Sequence, residues 1–342
     1  SVYWQDFDIY MKGMIALAQT RFGNVGVAKD IIKSLKENSI TSEEMGTYWK
    51  ENEESWHWYH APIETQSLMI EAISEIESYD TTLSEKEKIE TIDNLKIWLL
   101  KNKQTNRWST TKSTTEAIYA LLLKGSDWLS VQEQVEISIG DQKIEPQNLP
   151  EVATGYFKTS WSAEEIEPDM SEVKMIKKNE GVSWGGLYWQ YFEDMDKITG
   201  AETSLSLSKS VFVVTNSPSG ELLKAVNDTT KLHVGDLVRV RIELKVDRSM
   251  DYLHMKDMRA SGLEPINVLS GYKWQDGLGY YESTRDASTN FFFDHLPKGV
   301  FVFEYDLRVN NSGHFSNGIT TIQSMYAPEY SSHSQGMKMV VE

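Results

Sequence analysis

The hydrophobic spacing of this chain changes once, and that change limits the folds open to it. As far as Leu123 the apolar residues recur at helical spacing, as on helices with one buried face. Phe7, Tyr10, Met11, Met14, Ile15, Leu17 and Ala18 form the first such run, with Gly23 as its stop. Val27, Ile31, Ile32 and Leu35 form the second. Thr41-Ser42-Glu43-Glu44 reads as a helix start, a capping residue with acids in the first turn. Pro62 suits the first position of a helix carrying Ile63, Met69, Ile70 and Ile73. Ser84 and Glu87 make a capping box ahead of Ile89, Ile92, Leu95 and Leu99, and a last helix spans Ser113 to Leu123. Short helices joined by brief loops predict an α-hairpin array, such as a partial α/α toroid.

After Trp128 the spacing becomes two. Strands are expected at Val135–Ile139, Gly155–Ser160, Val173–Lys177, Gly186–Phe192, Leu205–Thr215 and Leu237–Val246. Further strands follow at Tyr280–Ser283, Phe291–Asp294, Val300–Val309, Ile319–Met325 and Met337–Val341. The run LVRVRIELKV puts Val238, Val240, Ile242, Leu244 and Val246 on one face and Arg239, Arg241, Glu243 and Lys245 on the other. Asn310-Asn311-Ser312-Gly313 signals a hairpin turn between two strands. In Thr320–Ser334, TTIQSMYAPEYSSHS, the strand should stop at Ala327-Pro328, because proline lacks an N–H. Polar, weakly patterned Asp194–Ser204 marks a boundary. The expected fold class is multidomain, α then β. It has a partial α/α toroid over 1–129, a small β-domain over 130–200 and a C-terminal antiparallel β-sandwich over 201–342.

At 342 residues, two or three domains are expected. The net charge of -17 argues against a nucleic-acid backbone or an anionic membrane surface as partner. With no Cys in the chain, disulfide partners, thiolate metal sites and a cysteine nucleophile are excluded. No run approaches the roughly 18 apolar residues of a membrane span, and no basic-plus-apolar leader opens the chain. The first residues, SVYWQDFDIYMKG, are already periodic, as expected of a piece of a longer protein.

The densest chemical cluster is Glu53-Glu54-Ser55-Trp56-His57-Trp58-Tyr59-His60, with Glu64. On a helix, His57 and His60 share a face and Glu53 lies one turn earlier, an arrangement suited to a metal or an acid/base pair. Ala61-Pro62 follows at once and no third ligand has zincin spacing, so packing at a helix end is the plainer reading. The alternative function is therefore an α/α-toroid glycan-processing enzyme, or a glycan-binding protein, using the Trp56–His60 region. The 11 Trp and 16 Tyr keep glycan binding open, and Trp184, Trp189 and Tyr191 alternate as a sugar platform or a sandwich anchor would. The acidic run Ser162–Asp169 lacks the alternating ligands and glycine of a calcium loop and reads as a solvated linker. Glycine pairs such as Gly185-Gly186 lack the Lys-Ser/Thr of a phosphate loop, and no Gly-x-Ser-x-Gly elbow occurs. No catalytic residue, metal or cofactor is expected.

Three blocks, in order, resemble the C-terminal part of the bacterial alpha-2-macroglobulin family. Trp98–Leu122, WLLKNKQTNRWSTTKSTTEAIYALL, is similar to the final hairpin of the family's thioester-domain toroid. Gly181–Thr199, GVSWGGLYWQYFEDMDKIT, resembles a segment of the CUB-like β-domain that follows. VGDLVRVRIELKVDRSMDYLHMKDMRASGLEP, LPKGVFVFEYDLRV and the Met-Tyr-x-Pro-Glu run at Met325–Glu329 resemble the terminal macroglobulin-like sandwich. The resemblance implies a non-enzymatic inhibitor that entraps proteases, its partners being proteases and other domains of the same protein. It also implies a periplasmic or outer-envelope location, with a possible lipoprotein anchor. In members with a Cys–Gln thioester, a tyrosine of the terminal domain shields it from water, and Tyr326 is the matching position. The plainer role for Tyr326 is a residue packed at a domain interface, since no thioester cysteine occurs here.

Overall fold

The computed structural model describes residues 3–52, 60–103, 108–124, 135–144, 158–178, 185–218, 220–227, 229–275 and 277–342. Two compact units emerge, one of Ser1–Lys103 with Arg107–Gly185, the other containing Gly186–Glu342.

The first unit holds helices α1 (Ile9–Arg21), α2 (Val25–Glu37), α3 (Pro62–Glu77), α4 (Glu85–Lys101) and α5 (Thr111–Leu123). Asp8 starts α1 by accepting the Met11 N–H at 2.8 Å. Capping boxes start α4 at Ser84–Glu87 and α5 at Thr110–Ser113. Proline opens α3, where its missing N–H costs nothing. Helix α3 is the hub, packing on the other four helices and buried at every position from Ile63 to Ile70. The indoles of Trp49 and Trp108 are buried, donating to the carbonyls of Leu35 at 2.8 Å and Leu99 at 3.1 Å.

Thr41–Glu44 does not start a helix. It belongs to a hairpin of β1 (Ile40–Ser42) and β2 (Gly46–Tyr48). Ser42 Oγ accepts the Met45 N–H at 3.0 Å, and Gly46 turns back at φ +67 against the Asn94 carbonyl of α4. A side chain at position 46 would collide with that carbonyl, so tertiary packing overrides the local capping signal.

A three-stranded sheet in the same unit has the order β4 (Gln142–Ile144), β3 (Glu136–Ile139), β5 (Val173–Ile176). The acidic run next to it is exposed from Ser162 to Asp169, as a solvated segment should be, and it is held by short turns. Glu165 accepts from Ser162, Met170 is buried, and Asp169 Oδ2 accepts the Asp141 N–H at 3.1 Å in the β3–β4 turn.

The second unit is a sandwich of antiparallel sheets. Its strands are β6 (Leu205–Ser217), β7 (Gly220–Ala225), β8 (Lys231–Leu232), β9 (Leu237–Val246), β10 (Met250–Met258), β11 (Leu263–Pro265) and β12 (Gly271–Gln275). They continue with β13 (Leu278–Thr284), β14 (Ser288–Leu296), β15 (Gly299–Val309), β16 (Gly313–Asn317), β17 (Thr320–Ser324), β18 (Ser331–His333) and β19 (Met337–Val341). One sheet runs β12-β13-β14-β10-β17-β18 and the other β11-β15-β9-β6-β7. A small third sheet, β16-β19-β8, contains a parallel pair, β19 with β8.

Both large sheets feed one core that includes Leu205, Ile242, Leu253, Phe291, Phe303, Ile322 and Met339. The alternation of β9 places its valines, Ile242 and Leu244 inward as expected. On the outer face, Arg239 meets its cross-strand partner Asp306 in a two-pronged pair at 2.7 and 2.9 Å, and Arg241 meets Glu304 at 2.6 Å.

One strand expectation and one hairpin expectation fail here. Residues 186–192 form no strand, and Tyr188, Tyr191 and Phe192 are exposed. Asn310–Gly313 is no hairpin, because β15 is already paired on both edges, to β9 and β11. Instead the chain leaves the sheet, and β16 pairs with β19. The polar segment before β6 is stitched to the far edge of the sandwich. Ala201 bridges His333, Ser332 Oγ donates to the Ala201 carbonyl at 2.6 Å, and Gly336 N donates to Ile198 O at 2.8 Å.

Candidate functional site

Tyr326 lies in the loop between β17 and β18, and the loop is built to present it. The Ser324 N–H donates to the Tyr330 carbonyl at 3.0 Å, closing the loop at its base. The Tyr330 N–H donates to the Ala327 carbonyl at 3.0 Å, a β-turn with Pro328 in the position whose φ proline presets. Ala327 and Tyr330 are buried in the sandwich core, and the Arg248 guanidinium sits 5.9 Å from the centre of the Tyr330 ring. Met325 and Tyr326 point the other way, 60% and 58% exposed. Large apolar side chains on a clamped loop are the composition of a contact surface more than of a solvent-facing turn.

A second aromatic residue, absent from the sequence-based expectations, completes this surface. Tyr252 of β10 meets Tyr326 edge-on, with ring centroids 5.4 Å apart and planes at 84°. Its carbonyl accepts the Met325 N–H at 2.9 Å. Beside it, His295 Nδ1 and Asp251 Oδ1 are 2.7 Å apart across β14 and β10. No pattern of spacing announces the Tyr252–Tyr326 contact, because one residue lies on β10 and the other on the β17–β18 loop, far apart in the chain.

The other candidate cluster divides. Glu53–Tyr59 lies outside the described residues, as does Trp184. His60 is exposed just ahead of α3, and Glu64 is buried in the first turn of α3. Trp189 and Tyr191 are exposed on an irregular segment and form no sandwich anchor. Among the described residues no group of three or more His, Cys, Asp or Glu is arranged to hold a metal ion.

Comparison with known proteins bears on the sandwich first. The model of the bacterial alpha-2-macroglobulin MG10 domain matches residues 205–329, from the start of β6 through the Met325–Glu329 run. The alpha-2-macroglobulin homolog of Nostoc sp. (strain PCC 7120 / SAG 25.82 / UTEX 2576) is 21% identical over 313 residues, covering 84% of this chain. The chain spans 15% of that relative's length. Among solved structures, Escherichia coli alpha-2-macroglobulin activated by porcine elastase is 15% identical, with a TM-score of 0.40 over 98% of this chain and 28% of its own. Salmonella alpha-2-macroglobulin reacted with methylamine is 12% identical, with a TM-score of 0.33 over 98% of this chain and 20% of its own. The MG10-domain model spans Tyr252 and Tyr326, and the relative aligns along most of this chain, so the comparisons support a fragment of a bacterial alpha-2-macroglobulin family protein.

Proposed function

We propose that this chain is the C-terminal, non-enzymatic region of a broad-spectrum protease inhibitor that works by entrapment at the cell envelope. The observation that carries the reading is the exposed Met325–Tyr326 pair on a clamped loop inside the span that matches the MG10 domain. In this reading the pair packs against another domain of the same protein and holds the resting form until a protease cuts elsewhere. Where the whole protein carries a Cys–Gln thioester, the same pair shields it from water. The periplasm or outer envelope is the proposed location.

The helices fit the end of an α/α toroid over residues 1–129. Helix α1 has apolar side chains around its circumference, with Ile9, Ala16 and Leu17 buried and Met11 and Met14 exposed. Such a helix suits a position between two neighbours. Residues 130–200 then form the β-domain and 201–342 the closing sandwich.

The test uses the full-length protein and trypsin. Incubation should yield a stable complex in which protease and inhibitor co-migrate, with a changed mobility on a native gel. Separate migration after complete cleavage would refute entrapment.

A further inference from the structure

We propose that Tyr252 is the positioning residue for Tyr326, holding the Met325–Tyr326 loop in its docking conformation. The inference rests on the reading of that loop as an interface element. Its starting point is the backbone: Tyr252 has φ +54, and among the described residues it is the one non-glycine residue with positive φ. A bulky side chain in the left-handed region is a steric outlier, and it sits here within a central strand, between β14 and β17.

Part of the reason is packing. Met250 and Leu253 are both buried although three positions apart, a spacing that strict alternation forbids. The left-handed residue between them absorbs the slip, so both side chains reach the core. Glycine would supply that geometry without a steric penalty. Packing therefore accounts for the conformation and leaves the tyrosine ring unexplained.

Among the described residues the ring has one aromatic neighbour, and that neighbour gives it a task. It stands edge-on to Tyr326, while the carbonyl of the same residue accepts the Met325 N–H. Backbone and ring together fix both exposed residues of the loop. Tyr252 is itself 45% exposed, so the contact orders Tyr326 without hiding it. A loop held in its bound shape loses less conformational freedom on docking, and that is how a residue outside the contact tip strengthens it.

The experiment uses the full-length protein with a fluorotyrosine introduced at the site of Tyr326, compared as wild type, Tyr252→Phe and Tyr252→Gly. The fluorine resonance should hold its position in Tyr252→Phe, and should move and narrow toward that of a free side chain in Tyr252→Gly. The thermal midpoint of Tyr252→Gly should stay level or rise, because the strain is relieved. A residue with only a structural role would lower the midpoint and leave the resonance in place. A resonance unchanged in Tyr252→Gly overturns the proposal. Spontaneous conversion of the resting form, followed on native gels without protease, separates the two layers. Tyr326→Ala and Tyr252→Gly should each speed it about tenfold, the scale of a lost aromatic contact, and Tyr252→Phe should not. If Tyr326→Ala leaves conversion unchanged, the interface reading fails. If Tyr326→Ala speeds it and Tyr252→Gly does not, the positioning role fails.

Discussion

Lys209 Nζ lies 2.7 Å from Asp257 Oδ1, and the two side chains are 3% and 0% exposed. Lys209 is on β6 and Asp257 on β10, so the pair ties the two sheets together through the core. The ammonium also donates to the carbonyls of Met258 at 2.7 Å and Gly318 at 2.8 Å, which occupies all its hydrogens. Asp257 accepts from Thr320 Oγ1 at 2.6 Å and from the Tyr305 hydroxyl. Lys209→Met leaves a buried carboxylate without its counter-charge and should cost about 3–5 kcal/mol. The double variant Lys209→Met/Asp257→Leu should recover only part of that loss: no lone charge stays buried, but the Met258 and Gly318 carbonyls and the Thr320 and Tyr305 hydroxyls lose their partners. Urea unfolding of the three proteins measures both numbers. A single-variant loss under about 1 kcal/mol would mean that water reaches the pair.

The consecutive strands β9 and β10 show what could be seen in the residues beforehand. β9 is legible because every second residue is Val, Ile or Leu and the intervening ones are charged. β10 is not: its inward row includes Asp257, and left-handed Tyr252 shifts the phase of Met250. The first departure depends on groups supplied by other strands, Lys209 and Tyr305, and the second on the packing of both Met250 and Leu253 into the core. Helix starts were legible where capping was local, as at Ser84–Glu87, and misleading at Thr41–Glu44, where contact with α4 decides the outcome. Tyr326 stands out through its family-like run, whereas the role of Tyr252 emerges only when β10 is set beside the β17–β18 loop.

Alkaline conditions should weaken the sandwich through its buried phenols. Burial, with the nearby Glu282 carboxylate adding to it, pushes the Tyr280 hydroxyl up to about 12. Burial beside Asp257 also holds Tyr305 well above the ordinary range. An unfolded tyrosine ionises near 10, so the folded state binds these protons more tightly. Their contribution is complete below about pH 10 and falls as pH rises from there toward 12. Unfolding midpoints measured from pH 8 to 11 should therefore lose this contribution only above about pH 10, and Tyr280→Phe should flatten part of the decline there. Parallel profiles for the two proteins would count against the argument.

Gly336 is a point where one atom decides whether a segment stays attached. A Cβ there would lie 1.8 Å from the Met195 carbonyl oxygen, and its own N–H donates to Ile198. Gly336→Ala should release the stretch from Met195 to Ala201 from the sandwich edge. The local cost should be about 1–3 kcal/mol, with the core intact. Hydrogen exchange should show lost protection at Gly336, Ala201 and His333 and unchanged protection in β9 and β15. Loss of protection throughout would show that the segment is part of the core's cooperative unit.

In the helical unit, Gln66 joins three elements that no local signal connects. From α3 its amide donates to the Thr47 carbonyl of β2 at 2.9 Å and to the Leu95 carbonyl of α4 at 3.1 Å. The side chain is fully buried, so the amide spans an apolar interior to reach both carbonyls. Gln66→Leu keeps the approximate volume and removes both donors. Thr47 then carries a carbonyl with one partner fewer, and the change should cost about 1–3 kcal/mol. The loss should fall on the hairpin first, because α4 retains its own ladder. Exchange rates of the β1–β2 amides should rise by more than those of α4, while the thermal midpoint drops. If hairpin and α4 loosen equally, Gln66 supports the helix pair α3–α4 rather than the docking of the hairpin on it.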